Sequence, residues 1–153
     1  MSTKKQAAKR VEIVSLKVVK EKPSVNYPLR TIRSPEDAIE LFRNFIGDSD
    51  RESFVLLCLS TKNEPTALHM VSTGTLNSSL VHPREVYKLA ILANSSAVIA
   101  CHNHPSGHPD PSKEDIEMTQ RLKEAGELLG IDFLDHIIIG DGCHVSLKEQ
   151  GLM

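Results

Sequence analysis

The stretch from His102 to Asp115 places the strongest constraint on how this chain can fold. It reads His-Asn-His-Pro-Ser-Gly-His-Pro-Asp-Pro-Ser-Lys-Glu-Asp and directly follows the apolar run from Ala97 to Cys101. A short apolar run is typical of a buried strand, and residues two apart along a strand point to the same side. His102 and His104 are therefore predicted to share one face, with Asn103 facing away.

The residues after this pair predict a metal site. Three prolines and a glycine between positions 105 and 111 favour a loop. Asp115 falls in the first turn of the helix that follows, so the loop can fold its carboxylate back towards the histidines. Two imidazole nitrogens and one carboxylate oxygen suit zinc and leave a fourth tetrahedral position for water. The spacing therefore predicts a catalytic zinc ion on His102, His104 and Asp115.

The end of the same stretch also has an interpretation without a metal. Ser112 followed three residues later by Asp115 resembles a capping box, which satisfies free backbone N–H groups at a helix start. This alternative does not account for His102 and His104 at the end of an apolar strand, where an unpaired histidine is costly to bury. We favour the metal interpretation, and both interpretations of Ser112 can hold together.

Composition and charge indicate one globular domain with a basic arm. The chain has 153 residues, of which 40% are hydrophobic and 25% are charged, and this suits a single core. Residues 1–33 carry nine Lys or Arg against two acidic residues, whereas the rest carries nine against eighteen. Solvated charge is the usual reason for such an arm, and contact with DNA or a protein partner is the alternative. We expect residues 1–33 to form the basic arm together with a first strand near residues 11–20. Residues 34–153 should form one folded domain.

The cysteines and the apolar segments indicate a cytoplasmic protein. Cys58, Cys101 and Cys143 are far apart and form no Cys-x-x-Cys pair. Their number and spacing favour reduced thiols over a disulfide framework or a thiolate zinc site. No apolar stretch approaches membrane-spanning length, and no signal-peptide pattern follows the basic start. We therefore expect no membrane contact, and we find no pattern that indicates a particular oligomeric state.

Helices and strands alternate along the rest of the chain. Ser34 and Pro35 predict a helix start, and Gly130 a helix end. Three helices are predicted, over about 35–46, from Pro83 onwards, and over about 112–129. Five strands are predicted, over 54–59, near 66–72, and over 97–102, 133–139 and 144–146. The first two of these strands should form a hairpin. This order predicts a layered α/β (α+β) domain with a mixed central sheet flanked by helices.

Hydrolysis by a zinc-activated water also needs a proton acceptor that can return the proton to the leaving nitrogen. Glu52 before a strand, Glu85 at a helix start and Glu64 in a turn are the candidates, and the residues alone do not rank Glu52 over Glu85. Ser112 can donate its hydroxyl to an oxyanion, a role that we favour over that of nucleophile.

Two other histidines are interpreted more simply. His108 lies in the loop, where we expect it to be solvated, because the predicted site is complete without it. Asp135 and His136 form a polar pair within an apolar strand. We favour a satisfied core pair over a pair that supports the metal ligands.

The spacing His-x-His, seven residues, Ser, two residues, Asp over residues 102–115 resembles the JAMM signature of the JAB/MPN metalloprotease domain. The wider context, over roughly residues 50–151, is similar to the bacterial RadC branch, through Glu52-Ser53-Phe54, Gly74-Thr75-Leu76, Pro83-Arg84-Glu85, His102-Asn103-His104-Pro105-Ser106-Gly107, Pro111-Ser112 and Asp135-His136. The resemblance implies a single JAB/MPN-like domain of the cytidine-deaminase-like type. It also implies one zinc ion on His102, His104 and Asp115, with Glu52 as the acid/base and Ser112 beside the oxyanion.

This resemblance implies a JAMM-type zinc hydrolase that cleaves a peptide or isopeptide bond in a peptide or protein substrate. The alternative is a non-enzymatic module of DNA repair or replication that retains the zinc-bound fold and binds through its basic arm. Longer family members carry a helix-hairpin-helix segment ahead of this domain, and this chain has only the short arm. A metal nuclease is a weaker hypothesis, because phosphodiester cleavage more often uses magnesium held by several carboxylates.

Overall fold

A computed structural model of the protein describes residues 4–22, 25–74 and 81–153. In these ranges the elements are α1 (Pro35–Ile46), β1 (Ser53–Leu59), β2 (Pro65–Thr73), α2 (Pro83–Leu92), β3 (Ala97–Asn103), α3 (Lys113–Leu129), β4 (Asp132–Ile139) and β5 (His144–Ser146). This order confirms the predicted α+β fold class. Residues 1–3 and 23–24 of the predicted arm, and Thr75 and Leu76 of the resemblance, lie outside the described residues.

One mixed sheet, in the order β2-β1-β3-β4-β5, forms the centre of the domain. β1 is antiparallel to both β2 and β3, β3 is parallel to β4, and β4 is antiparallel to β5. Every residue of β1 and β3 is buried, as expected for apolar strands covered on both faces. The parallel pair needs a crossover, which α3 supplies. The end of β3 and the start of α3 therefore lie at the same edge of the sheet.

Helices cover both faces of this sheet. α1 packs on one face, where Phe42 joins Leu57 and Ile99 in one apolar cluster. α2 and α3 pack on the other face, where their buried side chains join Leu56 and Val98 in a second cluster. The alternation of side chains along β1 and β3 divides their residues between the two clusters. None of the helices in the described ranges is long and apolar enough to cross a membrane.

The helix ends follow the predicted local signals. Ser34 accepts a hydrogen bond from the backbone N–H of Asp37, and α1 occupies the predicted span of 35–46. α3 starts with the predicted capping box of Ser112 and Asp115 and ends at Gly130, whose φ of 72° is in the left-handed region. These signals are local contacts of the chain, so they need no tertiary partner.

The predicted strand near residues 11–20 is wrong. These residues belong to no strand and all of them are exposed. The side chains of Val11, Ile13 and Leu16 are between 78% and 102% exposed, so the apolar alternation covers no core. A strand needs the backbone of a neighbouring strand, and alternation alone cannot supply it. The described part of the arm is therefore an exposed segment without regular secondary structure.

Candidate metal centre

The end of β3 and the first turn of α3 bring the three predicted metal ligands together. His102 Nε2 lies 3.0 Å from His104 Nε2. One carboxylate oxygen of Asp115 lies 3.4 Å from His102 Nε2, and the other lies 3.4 Å from His104 Nε2. Among the described residues, these three form the one group of at least three His, Cys, Asp or Glu side chains with the spacing of metal ligands.

The spacing of these atoms is compatible with a metal ion bound between them. For zinc, bonds to nitrogen and oxygen of about 2.1 Å would place two ligand atoms of a tetrahedron about 3.4 Å apart. The two Nε2 atoms are 3.0 Å apart, and each lies 3.4 Å from a different oxygen of Asp115. The side chain of His102 is 1% exposed and that of His104 is 16% exposed, so the group opens to solvent on the His104 side.

A backbone carbonyl determines the tautomer of His104. The His104 Nδ1 atom lies 2.8 Å from the carbonyl oxygen of His108. A carbonyl only accepts hydrogen bonds, so Nδ1 carries the hydrogen and donates it. In the neutral ring, Nε2 then presents a lone pair towards His102 and Asp115. The side chain of His108 itself is exposed, as expected.

A buried chain of hydrogen bonds determines the tautomer of His102. The Thr119 hydroxyl donates to the carbonyl oxygen of Asp115 at 2.7 Å, so its oxygen accepts from Nδ1–H of His136 at 2.5 Å. Burial, and then the neighbouring His102, hold the pKa of His136 well below its ordinary value, so the ring is neutral. Its Nε2 therefore accepts from Nδ1–H of His102 at 2.7 Å. His102 Nε2 is left with a lone pair.

The two histidines therefore present two lone pairs to each other. At an Nε2 to Nε2 distance of 3.0 Å these lone pairs repel, and either a shared proton or a metal cation removes the repulsion. The hydrogen bond to Asp115 raises the pKa of His104, and the charge of Glu52 adds to this. The group is thus built to hold a positive charge.

Asp115 acts both as the partner of the histidines and as part of the helix cap. Its Oδ2 accepts from the backbone N–H of Ser112 at 2.9 Å, and Ser112 Oγ accepts from the backbone N–H of Asp115 at 3.0 Å. Burial disfavours the charge of Asp115, but the adjacent imidazoles of His102 and His104 outweigh it and hold its pKa well below the ordinary value. Both interpretations of the Ser112 to Asp115 segment therefore hold at once.

Glu52 lies at the same edge of the sheet as the histidines. In the antiparallel register of β1 and β3, Phe54 is paired with His102. Continued by two residues, this register would bring Glu52 opposite His104, and the charge of Glu52 contributes to the raised pKa of His104. Glu52 is half-buried and lines a cleft of about 530 Å³ that Pro105 also lines.

The two other glutamates have different surroundings. Glu85 forms an exposed ion pair with Lys88 at 2.8 Å, and this contact lowers its pKa. Glu64 precedes β2, so it lies at the opposite end of β1 from Glu52. The catalytic roles of Glu52 and Ser112 stay predictions.

Comparison with known proteins identifies the family. A family model described as a RadC-like JAB domain matches residues 32–152. The chain belongs to this RadC family. The resemblance inferred from the stretch between His102 and Asp115 is thus confirmed.

Sequence similarity to several curated relatives extends over most of this RadC-like chain. A UPF0758 protein of Desulforamulus reducens is 56% identical over 122 residues, which are 80% of this chain and 54% of that protein. A UPF0758 protein of Methanosarcina barkeri is 50% identical over 129 residues, 84% of this chain and 56% of the relative. A third, from Desulforudis audaxviator, is 57% identical over 122 residues, 80% of this chain and 53% of the relative. The chain spans about half the length of the curated relatives it matches.

Several residues that support the ligands of this RadC-like domain were not found from the sequence. Phe54 stacks against the ring of His102, with centroids 6.3 Å apart, and meets the ring of His136 edge-on at 5.5 Å. Thr119 orients His136 through the hydrogen bond described above. These residues are far apart in the chain, and nothing in their local sequence distinguishes them from ordinary core residues.

Asp135 and His136 are both buried and hydrogen-bonded, as the favoured interpretation expects, but their side chains have different partners. Asp135 accepts hydrogen bonds from Ser146 Oγ at 2.5 Å and from the backbone N–H of Lys148 at 3.1 Å, as a satisfied core residue should. His136 instead contacts His102. Neighbouring residues of a strand point to opposite faces, so the two side chains lie on different faces of the sheet.

The loop after His104 is held against the turn between β4 and β5. The backbone N–H of His104 donates to the carbonyl of Ile139 at 2.8 Å, and that of Asp141 donates to the carbonyl of Gly107 at 2.9 Å. Gly107 has a φ of +89°, and a Cβ at this position would lie 3.2 Å from Cβ of Asp141. Arg43 of α1 donates to two carbonyls of the same turn. These contacts keep the ring of His104 in place beside His102.

Proposed function

We propose that this RadC-like JAB domain is a zinc-dependent hydrolase that cleaves a peptide or isopeptide bond. The observation that supports this proposal most strongly is the pair of Nε2 atoms, each with its other ring nitrogen committed as a donor, at 3.0 Å from one another. The carboxylate of Asp115, at 3.4 Å from both, completes a ligand set that leaves one tetrahedral position free.

Zinc at this site would supply the Lewis acidity that activates a water molecule near neutral pH. Glu52 accepts the proton of this water and returns it to the leaving nitrogen, so that one carboxylate acts as base and then as acid. Its half-buried position near His104 supports this role. The cleft beside Glu52 and Pro105 offers room for an extended peptide.

Ser112 is the proposed donor to the oxyanion. Its Oγ already accepts from the backbone N–H of Asp115, so its hydroxyl hydrogen is available to donate. It is exposed at the start of α3, next to the ligand Asp115. A hydroxyl hydrogen aimed at the developing negative charge lowers the energy of the transition state.

The metal part of the proposal is tested by titrating metal-stripped protein with zinc. We expect one zinc ion per chain in the wild type and none in His104→Ala, with His108→Ala as the matched control from the same loop. The side chain of His108 is exposed and only its backbone carbonyl contacts His104, so the control should bind zinc normally. Normal zinc binding by His104→Ala would contradict the proposed site.

The hydrolytic part is tested with fluorogenic linear peptides and isopeptide-linked peptides. Glu52→Gln should retain zinc and lose hydrolysis by about a hundredfold or more, the range of a general base. Glu85→Gln, which changes an exposed carboxylate paired with Lys88, is the control and should retain activity. Equal activity of the two variants would contradict the role of Glu52.

A second proposed function is contact with DNA or an acidic partner through the arm. All described residues between 4 and 22 are exposed, and this segment carries seven Lys or Arg against two Glu. Binding of duplex DNA should weaken steeply with salt, because each neutralised phosphate releases a counterion. Deletion of residues 1–22 should remove this binding. Salt-independent binding, or binding unchanged by the deletion, would contradict the proposal.

A further inference from the structure

The side chain of Asn103, between the two histidines, binds the backbone of the segment that carries Glu52. Its Oδ1 accepts from the backbone N–H of Ser53 at 2.8 Å, and its Nδ2 donates to the carbonyl of Arg51 at 2.9 Å. Asn103 is 7% exposed; its bond to Ser53 is buried and its bond to Arg51 is partly buried. The two backbone groups are those that directly flank Glu52.

The segment from Arg51 to Ser53, which contains Glu52, lies just beyond the last backbone pair of β1 and β3. The last paired residues are Phe54 and His102, so Ser53 and the residues before it have no ladder bonds to β3. A side-chain amide has one donor group and one acceptor, as a peptide group has, so Asn103 continues the ladder by one step. On the other side, the backbone N–H of Gly74 donates to the carbonyl of Glu52 at 2.8 Å. Glu52 is therefore held from both neighbouring strands.

We propose that Asn103 is a positioning residue for Glu52. Its amide holds the backbone on both sides of Glu52 and thereby keeps the Glu52 carboxylate beside the histidine pair. The inference rests on the proposed function, in which Glu52 moves the proton of the activated water. One strand end then places both the metal ligands, through His102 and His104, and the acid/base, through the residue between them.

Asparagine is the residue that this contact requires. Aspartate would keep an acceptor for the N–H of Ser53 but would lose the donor to the carbonyl of Arg51 and place a charge against it. Alanine would lose both bonds. A merely structural role would lower stability in either variant without a specific effect on Glu52, so the test needs a readout at the metal.

The experiment uses cobalt(II) as the probe, with its visible absorption measured as a function of pH. The variants are N103A, N103D, E52Q and the double variant N103A/E52Q. The matched control is T66V, which removes another side-chain bond to the backbone of β1, from Thr66 Oγ1 to the carbonyl of Cys58 at 3.1 Å, at the far end of the strand. Thermal unfolding of each variant records the structural effect separately.

Removing a residue that supports a metal ligand lowers metal affinity by roughly tenfold or more. Asn103 supports Glu52 and not a ligand, so we expect N103A and N103D to lose less cobalt affinity than this. Their pH profiles should shift in the direction of the E52Q profile, and the double variant should match E52Q alone. T66V should retain the wild-type profile.

Two results would overturn the inference alone: a wild-type profile in both Asn103 variants, or shifts of N103A and E52Q that add in the double variant. Wild-type protein that binds no cobalt would overturn the proposed function and this inference together. The two failures are therefore distinguishable.

Discussion

His102 Nδ1 lies 2.7 Å from Nε2 of His136, and both rings are buried. This contact orients His102, the first of the proposed metal ligands, from inside the core. A supporting partner on the second ring nitrogen is typical of metal-binding histidines. The direction of the hydrogen bond is not set by the two rings themselves, because either could donate. It is set by the next residue in the chain of hydrogen bonds, Thr119, whose hydroxyl donates to the carbonyl of Asp115 and accepts from His136.

Replacing Thr119 by valine should therefore weaken metal binding without touching a ligand. Valine has the shape of threonine but cannot accept from His136, so the tautomer of His136 is no longer determined. We expect zinc affinity to fall about 10- to 100-fold, the range for such supporting residues. Competition with a chromophoric chelator measures it, with Thr66→Val as the control. An affinity equal to the wild type would show that the buried chain does not determine the tautomer of His102.

Zinc should stabilise the fold by an amount that depends on Asp115. A ligand at a hundred times its dissociation constant stabilises the native state by about 2.7 kcal/mol. In Asp115→Asn the two histidines lose their anionic partner, so this stabilisation should largely disappear. Thermal unfolding with and without zinc measures the difference. The control is Asp110→Asn, an exposed carboxylate in the loop between β3 and α3, which should respond to zinc like the wild type.

Metal-free protein should lose stability as the pH rises above neutrality. The pKa of His104 is raised from its ordinary value of 6.5, so its contribution is fully present below pH 6.5 and is lost as the pH rises through the folded value. The pKa of Asp115 is lowered from 3.8, so its contribution is present above pH 3.8 and is lost as the pH falls through the folded value. The pair therefore stabilises metal-free protein most between about pH 4 and 6.5.

Zinc should have the opposite pH dependence, because it binds the deprotonated histidines. The stabilisation by zinc should grow over the range in which metal-free protein weakens. Chemical unfolding between pH 5 and about 8.5, with zinc and with chelator, measures both trends. Stability of metal-free protein that does not fall between pH 6.5 and 8.5 would contradict a raised pKa of His104 beside Asp115.

Gly107→Ala should affect both stability and the metal site. Its φ of +89° disfavours any side chain, and a Cβ would press against Asp141 at 3.2 Å. We expect a loss of about 1–3 kcal/mol in unfolding free energy, with weaker zinc binding because the loop carries His104. Gly130→Ala is the control: its φ is 72°, and a Cβ there meets nothing within 4 Å. It should lose stability but retain zinc affinity. Equal zinc affinity in both variants would contradict the proposal that the contact between Gly107 and Asp141 keeps His104 in place.

Local features of the chain were predictable because their causes are local. The caps at Ser34 and Gly130 and the apolar strands were found within one or two residues of their observed bounds. The capping box of Ser112 and Asp115 was found for the same reason. Each depends on backbone groups a few residues away, so the sequence contains both partners of the contact.

The metal ligands form an intermediate case. The strand period and the loop composition predicted that His102, His104 and Asp115 can converge, and the structure brings their side chains together. Glu52 could not be ranked over Glu85 from its own neighbours, because its position near His104 follows from the register of β1 and β3. That register depends on packing across the whole sheet.

Contacts between distant segments were beyond the sequence. Alternation over residues 11–20 predicted a strand that has no partner in the described sheet, and His136 was assigned to the core although it orients His102. In both cases the outcome depends on which backbone or side chain lies alongside. The chain alone specifies the faces and ends of its elements, whereas their neighbours are selected by the free energy of packing the complete domain.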